Sequence, residues 1–261
     1  MIMAQSNQYI RRELSMILID IGNTSTVLGI YFSKRIINLK RVKTSNSKEF
    51  ILCIDRYVKK FKKNNLCILS SVVPRLNPSI KSIVKKYKLN FFNINAKNIP
   101  LKINFKYDLK KIGADRIANT VAVINNNINN SIIVDFGTAT TFDVIKNNVY
   151  EGGLIFPGIN ISHESLINNT SMLKKIKVIK IKKLVSNNTK QSIQSGFYWG
   201  YLSVINGIID KIIKEKKFKP KIILTGGYAN IFKSGILLNP TINENLTLEG
   251  LVIIGKKINV K

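Results

Sequence analysis

One pattern occurs twice in this chain and constrains its fold more than any other feature. Residues 17–27 read Ile-Leu-Ile-Asp-Ile-Gly-Asn-Thr-Ser-Thr-Val, and residues 132–142 read Ile-Ile-Val-Asp-Phe-Gly-Thr-Ala-Thr-Thr-Phe. Each copy is an apolar run, typical of a buried strand, followed by Asp-x-Gly and small polar residues. A single Asp-x-Gly is most often just a hairpin turn. Two copies in the same strand context indicate a duplicated half-protein.

The pattern also suggests a chemistry. A strand that ends in a carboxylate and a glycine turn presents one acidic group beside exposed backbone N–H donors. Hydroxyl groups of Thr and Ser add further donors, so such a turn suits phosphate. Two copies that face each other could hold a nucleoside triphosphate and its metal ion between two similar domains.

Length and composition set the domain prediction. The chain has 261 residues, enough for two α/β domains, and no apolar run approaches the roughly 20 residues that span a bilayer. We predict a disordered N-terminal extension over 1–15, which lacks the apolar block of a secretory signal. The first domain is predicted over 16–127 and the second over 128–261, with an Asn-rich linker at the boundary.

Charge and cysteine content bear on partners and location. The formal net charge is +28, which allows nucleic-acid or anionic-membrane binding. The lysines are spread along the chain without a nucleic-acid motif, so compositional drift is the favoured interpretation and neither a specific nucleic acid nor a membrane is expected. Cys53 and Cys67 have no CxxC spacing, so we interpret them as free thiols in a reducing compartment.

Hydrophobic periodicity predicts strands and helices that alternate after each initial hairpin, hence an α/β fold. Asn46 with Glu49 three residues later predicts a helix start there. A long helix is predicted over 191–214. It contains Gly196, Gly200 and Gly207, which suggest close approach to another helix, a ligand or a second subunit.

An ordered set of motifs carries a family resemblance. Its members are Asp20-Ile-Gly-Asn-Thr24, Ser70-Ser-Val-Val-Pro74, Gly113-Ala-Asp-Arg116, Asp135-Phe-Gly-Thr-Ala-Thr-Thr141, Gly152-Gly-Leu-Ile-Phe-Pro-Gly158, Asn188-Thr189 before Gln194-Ser-Gly196, Thr225-Gly-Gly227 and Leu246-Thr-Leu-Glu-Gly250. This set resembles the type III pantothenate kinases, within the superfamily of actin-like ATPases and sugar kinases. The resemblance implies two similar ribonuclease H-like domains, each a mixed sheet flanked by helices, with a cleft between them.

The resemblance implies the following residue roles. Asp115 is the proton acceptor from the primary alcohol of pantothenate. ATP phosphates are held by the first hairpin and by one residue of the second: Asp20, Ile21, Gly22, Asn23, Thr24, Ser25, Thr26, Val27 and Thr138. Substrate is contacted by Tyr107, Gly113, Ala114, Asp115, Arg116 and Thr189. Asp135 is a ligand for a monovalent cation, potassium or ammonium, and Asp20 orients magnesium through water.

Each assignment has a structural alternative. Asp115 at a helix start could be a cap, and Asp135 could be a turn carboxylate. Arg116 could form a surface ion pair, and Thr189 could be a loop or cap residue. The segment after Tyr107 lacks the family's usual Pro and is one residue short, so the register of Tyr107 stays open.

Two remaining residues receive structural interpretations. His163, the only histidine, is expected to be a surface or helix residue. Trp199 is expected in the core or at a subunit interface.

The predicted activity is phosphorylation of pantothenate by ATP, the first step of coenzyme A biosynthesis, in a cytoplasmic homodimer whose pocket is closed partly by the neighbouring subunit. One alternative is a noncatalytic transcription regulator of the same family that binds nucleic acid. Another is a kinase for a different small alcohol, because fold alone does not fix the substrate. An Asp of ordinary pKa, about 3.9, is a weak base and would take the proton only as the oxygen–phosphorus bond forms.

Overall fold

The computed structural model describes residues 14–95, 97–108 and 111–258, so residues 1–13 of the predicted extension lie outside it. Two sheets dominate the architecture. The first contains β1 (Met16–Ile21), β2 (Ser25–Phe32), β3 (Arg35–Lys43), β4 (Leu66–Ser71) and β5 (Asn90–Asn93), in the order β3-β2-β1-β4-β5. The second contains β6 (Asn104–Phe105), β7 (Ser131–Phe136), β8 (Ala139–Lys146), β9 (Val149–Pro157), β10 (Lys221–Gly226) and β11 (Thr241–Ile242), in the order β11-β10-β7-β8-β9-β6.

Helices cover these sheets. They are α1 (Lys48–Lys60), α2 (Asn77–Lys86), α3 (Ala114–Asn125), α4 (Ile159–Asn168), α5 (Thr189–Lys216), α6 (Ala229–Phe232) and α7 (Leu246–Ile258). The predicted start of α1 at Asn46 is wrong by one residue: the cap is Ser47, whose hydroxyl accepts from the N–H of Phe50 at 3.1 Å. The hydroxyl of Ser47 provides the same capping chemistry as the expected amide.

The two sheets repeat one plan around their central strands. β1 pairs antiparallel with β2 and parallel with β4, and β7 pairs antiparallel with β8 and parallel with β10. β1 and β7 share the same order of buried and half-buried positions. The predicted boundary between residues 127 and 128 does not separate the two sheets completely. The strand β6, which precedes it, joins the second sheet, and α7, which follows it, packs against β1 and β4 of the first sheet.

Strand alternation directs the two repeated aspartates towards the same region. Along β1, Met16 and Leu18 face a core shared by both sheets, whereas Ile17 and Ile19 face the core beneath α1 and α2. Asp20 has the parity of Leu18 and therefore faces the shared side. On β7, Ile133 contributes to that shared core and Asp135 has its parity. Helices α3 and α7 lie together in this central region.

In the part of the chain that the structure describes, no helix combines the length and apolar character needed to cross a bilayer. Cys53 and Cys67 are free thiols, and Cys67 is fully buried on β4.

Candidate functional site

The first hairpin turn presents polar groups at the end of β1. The turn is closed by the N–H of Gly22, which donates to the carbonyl of Ser25 at 3.0 Å. Asn23 and Thr24 are exposed at its tip. Thr26 is fully buried, and its hydroxyl is 2.9 Å from that of Thr44, so this predicted phosphate ligand is committed to the interior. Ile21 is also fully buried, so only its backbone could reach a ligand.

The second hairpin turn has the same closure and meets the first. The N–H of Gly137 donates to the carbonyl of Ala139 at 3.1 Å. The hydroxyls of Thr24 and Thr138 are 2.7 Å apart, although 114 positions separate these residues in sequence. The two repeated turns therefore converge tip to tip at the mouth of the region between the sheets.

A third carboxylate enters the same region from the start of α3. Asp115 lies in the first turn after the cap residue Gly113, and its Oδ1 accepts from the N–H of Arg116 at 2.7 Å. One helical turn later, the side chain of Asn119 donates to Asp135 Oδ2 at 3.4 Å. The same face of α3 thus carries Asp115 and approaches the second hairpin.

Burial and mutual repulsion raise the pKa values of these acids. Burial, with Asp115 nearby, raises the pKa of Asp20 to about 7. Burial and the charges of Asp115 and Asp20 raise the pKa of Asp135 to about 7. Burial is also the main cause of the raised pKa of Asp115. Three carboxylates that disfavour each other's ionisation form a site whose charge suits a cation or a proton in transfer.

The donor set of Asp20 and Asp135 fits hard cations, which prefer carboxylate and carbonyl oxygens. Within residues 14–95, 97–108 and 111–258, no three His, Cys, Asp or Glu side chains form a metal site by themselves. An ion bound here would therefore need ligands from a nucleotide or from backbone carbonyls as well, which is the usual arrangement for magnesium with phosphates.

Arg116 lies in a buried polar network beside this group. Its Nε donates to Asp143 Oδ1 at 2.7 Å, and the Tyr150 hydroxyl donates to the same oxygen at 2.7 Å. Asp143 is fully buried and Arg116 is 6% exposed, so the alternative of a surface ion pair is wrong. The ring of Tyr107 lies over the guanidinium, 5.9 Å from its centre, which places Tyr107 beside Arg116.

The structure leaves other predicted residues outside this group. Thr189 is exposed in the first turn of α5 and makes no hydrogen bond to Asp115, Arg116 or Tyr107. His163 is helical as predicted but buried rather than on the surface, edge-on to Phe197 with ring centroids 5.2 Å apart. Trp199 is half-buried and packs on the core of the second domain.

Sequence reasoning missed several contributors. Asn119 follows Asp115 by four residues, and that helical spacing could have revealed it. Asp143 is a lone acid within the apolar strand β8, at a position where alternation predicts an inward side chain. Arg41, whose guanidinium donates to the Ser25 hydroxyl at 3.1 Å, had no sequence signal because only the β2–β3 pairing brings it to the turn.

Gly226, at the end of β10, lets the backbone of this strand lie close to the carboxylate of Asp135. Its φ is +84°, and a Cβ there would lie 2.6 Å from Asp135 Oδ1 and from the backbone of Phe136. Only glycine allows the chain to turn this close to the carboxylate.

Comparison with known proteins identifies relatives of this chain. Residues 16–211 match the family model described as type III pantothenate kinase. The chain is 40% identical over 240 residues to a type III pantothenate kinase of Pelagibacter ubique, covering 89% of this chain and 95% of that one.

Solved structures show the fold. A Campylobacter jejuni protein described as a Baf family transcriptional activator superposes with a TM-score of 0.61 at 21% identity, covering 94% of this chain and 100% of that one. MreB5 of Spiroplasma citri, solved with ADP, superposes with a TM-score of 0.53 at 13% identity, covering 94% and 98%. The predicted α/β class with actin-like domains is confirmed.

Proposed function

This chain belongs to the type III pantothenate kinase family, and on that premise we propose that it transfers the γ-phosphoryl group of ATP to the primary alcohol of pantothenate. The product is 4′-phosphopantothenate, and the reaction is the first step of coenzyme A biosynthesis. The observation that carries this proposal is the convergence of both repeated turns with Asp115, at one place between the sheets.

The paired turns supply the phosphate site. Backbone N–H groups of the turn tip at Asn23 and Thr24 and the hydroxyls of Thr24 and Thr138 are donors suited to phosphate oxygens. Since these two hydroxyls are 2.7 Å apart, a triphosphate between them must replace their mutual hydrogen bond with bonds to its own oxygens. Arg41 beside Ser25 adds a fixed positive charge.

Asp20 and Asp135 are the residues that would hold cations. Asp20 would orient magnesium through water, and Asp135 would bind potassium or ammonium. Bound cations neutralise phosphate charge and lower the pKa values of both aspartates, so the carboxylates become ionised ligands. Phosphoryl transfer depends on such positioning and charge neutralisation.

Asp115 acts as the base. Its pKa is raised by burial, which improves it as a proton acceptor over an ordinary aspartate. The substrate hydroxyl loses its proton to Asp115 as its oxygen bonds to the γ-phosphorus and the bond to the β-phosphate oxygen breaks, leaving ADP. The N–H of Arg116 holds Oδ1 at 2.7 Å, which leaves Oδ2 as the oxygen to receive the proton.

The assay that tests this function combines the purified chain with ATP, magnesium and pantothenate, with and without potassium, and identifies the product by mass spectrometry. We expect a product heavier by one phosphoryl group and a rate that rises with potassium. The regulator alternative predicts no product and sequence-selective DNA binding that survives raised salt. The 21% identity to the C. jejuni protein supports a shared fold only, so the enzyme is favoured.

We also propose a homodimer that uses an apolar face of the second domain. Exposed apolar side chains lie at the end of β9 and on α4, which follows it directly: Leu154, Ile155, Ile161 and Leu166. Outside α5 itself, no described residue has an atom within 4 Å of a Cβ built at Gly196, Gly200 or Gly207, so of the three predicted partners another helix of the described chain does not lie there. A ligand and a second subunit remain as the predicted partners of these glycines, and the proposed homodimer would supply the second subunit.

Thr189 makes no hydrogen bond to the Asp115 group, so we propose that it completes the pantothenate pocket of the neighbouring subunit. Mixed dimers test this. Asp115→Asn and Thr189→Ala subunits, each weakly active alone, should regain activity when mixed, because one of the two shared sites then carries neither change. No gain on mixing, in samples shown by native mass spectrometry to contain mixed dimers, would contradict the shared pocket.

A further inference from the structure

We propose that Asp143 is a positioning residue for substrate selection: it fixes the Arg116 guanidinium so that its terminal nitrogen Nη2 is kept for the carboxylate of the acid substrate. The inference rests on the proposed function and assigns a selectivity device to the same site.

The first argument is the location of Asp143. It lies on β8, an inner strand of the second sheet, opposite Ile133 on β7 and Gly153 on β9. Its side chain is fully buried. A buried ion pair contributes little net stability, and apolar residues of similar volume are commonly as stable. The pair with Arg116 is therefore poorly explained by stability, and its effect on the geometry of Arg116 is the more informative property.

The second argument is how the carboxylate is used. Oδ1 receives both the Nε–H of Arg116 and the hydroxyl of Tyr150, each at 2.7 Å. Nη2 makes no hydrogen bond to Asp143, whose second oxygen Oδ2 is also buried and without a hydrogen-bond partner among the described residues. Nη2 is buried and has no hydrogen-bond partner among the described residues. A buried donor left unpaired is costly, so it is a strong attachment point for an anion that reaches it.

The third argument is what surrounds Nη2. A Cβ at Gly153 would lie 2.6 Å from it, so the missing side chain on β9 makes room for the guanidinium. The ring of Tyr107 covers the guanidinium centre at 5.9 Å and meets Tyr150 edge-on at 6.0 Å. The guanidinium is thus held on three sides, and rotation about its last bonds would require loss of the Asp143 contact.

The fourth argument is chain geometry. Arg116 directly follows Asp115 in the first turn of α3, and the two side chains engage different partners. Asp115 belongs to the group with Asp20 and Asp135, whereas Arg116 points to β8. This arrangement separates the site of the reacting alcohol from the site of the acid group, so one substrate that carries both is bound at two points.

The test measures selectivity rather than activity alone. Kinetics are compared for pantothenate and for its uncharged analogue in which an alcohol replaces the carboxylate, in wild type, Asp143→Asn and Tyr150→Phe. Asp210→Asn, an exposed aspartate paired with Lys214, is the matched control. We expect Asp143→Asn to raise KM for pantothenate about tenfold, to leave KM for ATP within about twofold, and to lower the acid-over-alcohol preference about tenfold. A tenfold change corresponds to about 1.4 kcal/mol of binding.

Tyr150→Phe keeps the ion pair and serves if Asp143→Asn fails to fold. It removes one of the two bonds that orient Asp143, so we expect a smaller loss of preference in the same direction. The inference is overturned if both substrates lose kcat/KM equally, or if the preference is unchanged, in the variant that folds. Failure of wild type to phosphorylate pantothenate would instead overturn the proposed function and this inference with it.

Discussion

Replacing Asp135 by Asn should stabilise the ligand-free protein at alkaline pH. In the folded chain the pKa of Asp135 is raised to about 7 from 3.8, because the carboxylate is buried near Asp115 and Asp20. The folded state therefore binds more protons than the unfolded state between these two pH values, and stability falls as pH rises through them. This contribution to stability is fully present below pH 3.8 and lost above about pH 7.

The magnitude follows from the size of the shift. About three pKa units at 1.36 kcal/mol each set an upper limit of about 4 kcal/mol. Asp135 keeps part of its surface open to solvent in the cleft, which reduces the expected cost to about 2 kcal/mol. Asparagine has nearly the same shape and cannot ionise, so it removes this cost and the repulsion felt by Asp20.

Urea unfolding followed by circular dichroism, in buffer free of magnesium, potassium and nucleotide, measures the effect at pH 5 and pH 8. We expect Asp135→Asn to exceed wild type by about 2 kcal/mol at pH 8 and by a smaller margin at pH 5, where the folded wild type keeps more of the proton. Asp210→Asn, an exposed control, should change little at either pH. An Asp135→Asn variant no more stable than wild type at pH 8, or equally shifted at both pH values, would refute the reasoning.

Two other substitutions test local geometry. Gly226→Ala forces a side chain into a position with φ of +84° and against Asp135, so kcat/KM for ATP should fall about tenfold or more in steady-state assays, whereas an unchanged value would contradict the close approach. Ser47→Ala removes the cap of α1 and should cost about 1 kcal/mol in urea unfolding, with kcat and KM of the folded protein unchanged; a fall in kcat would contradict a purely capping role for Ser47.

Much of the fold could be predicted because the two repeated strands have strong local sequence signals. The apolar run before Asp20 and its copy before Asp135 fix buried central strands, and period-two alternation directs both carboxylates to one side. The α1 boundary was displaced by one residue because Asn46 and Ser47 are both capable caps, and only the backbone geometry selects one. The return of α7 to the first sheet has no local signal, since it depends on long-range packing.

The site was predicted less completely. The turn residues and Asp115 belong to recognisable motifs, so the sequence alone could identify them. The partners of Arg116 could not, because Asp143 and Tyr150 reach it through strand pairing and helix placement that no short pattern encodes. Thr26 shows the reverse case: its motif predicts a phosphate ligand, and burial against Thr44 occupies its hydroxyl instead.

The most direct test of the account is the turnover of Asp115→Asn with saturating ATP, magnesium, potassium and pantothenate, set against wild type and Asp210→Asn. We predict that kcat falls by about 10²–10⁴, the range for loss of a general base. We expect KM for both substrates to stay within about threefold, because Asn keeps the shape and the contact with the Arg116 N–H. A variant that turns over at a rate close to wild type would contradict the assignment of Asp115 as the base between the paired turns.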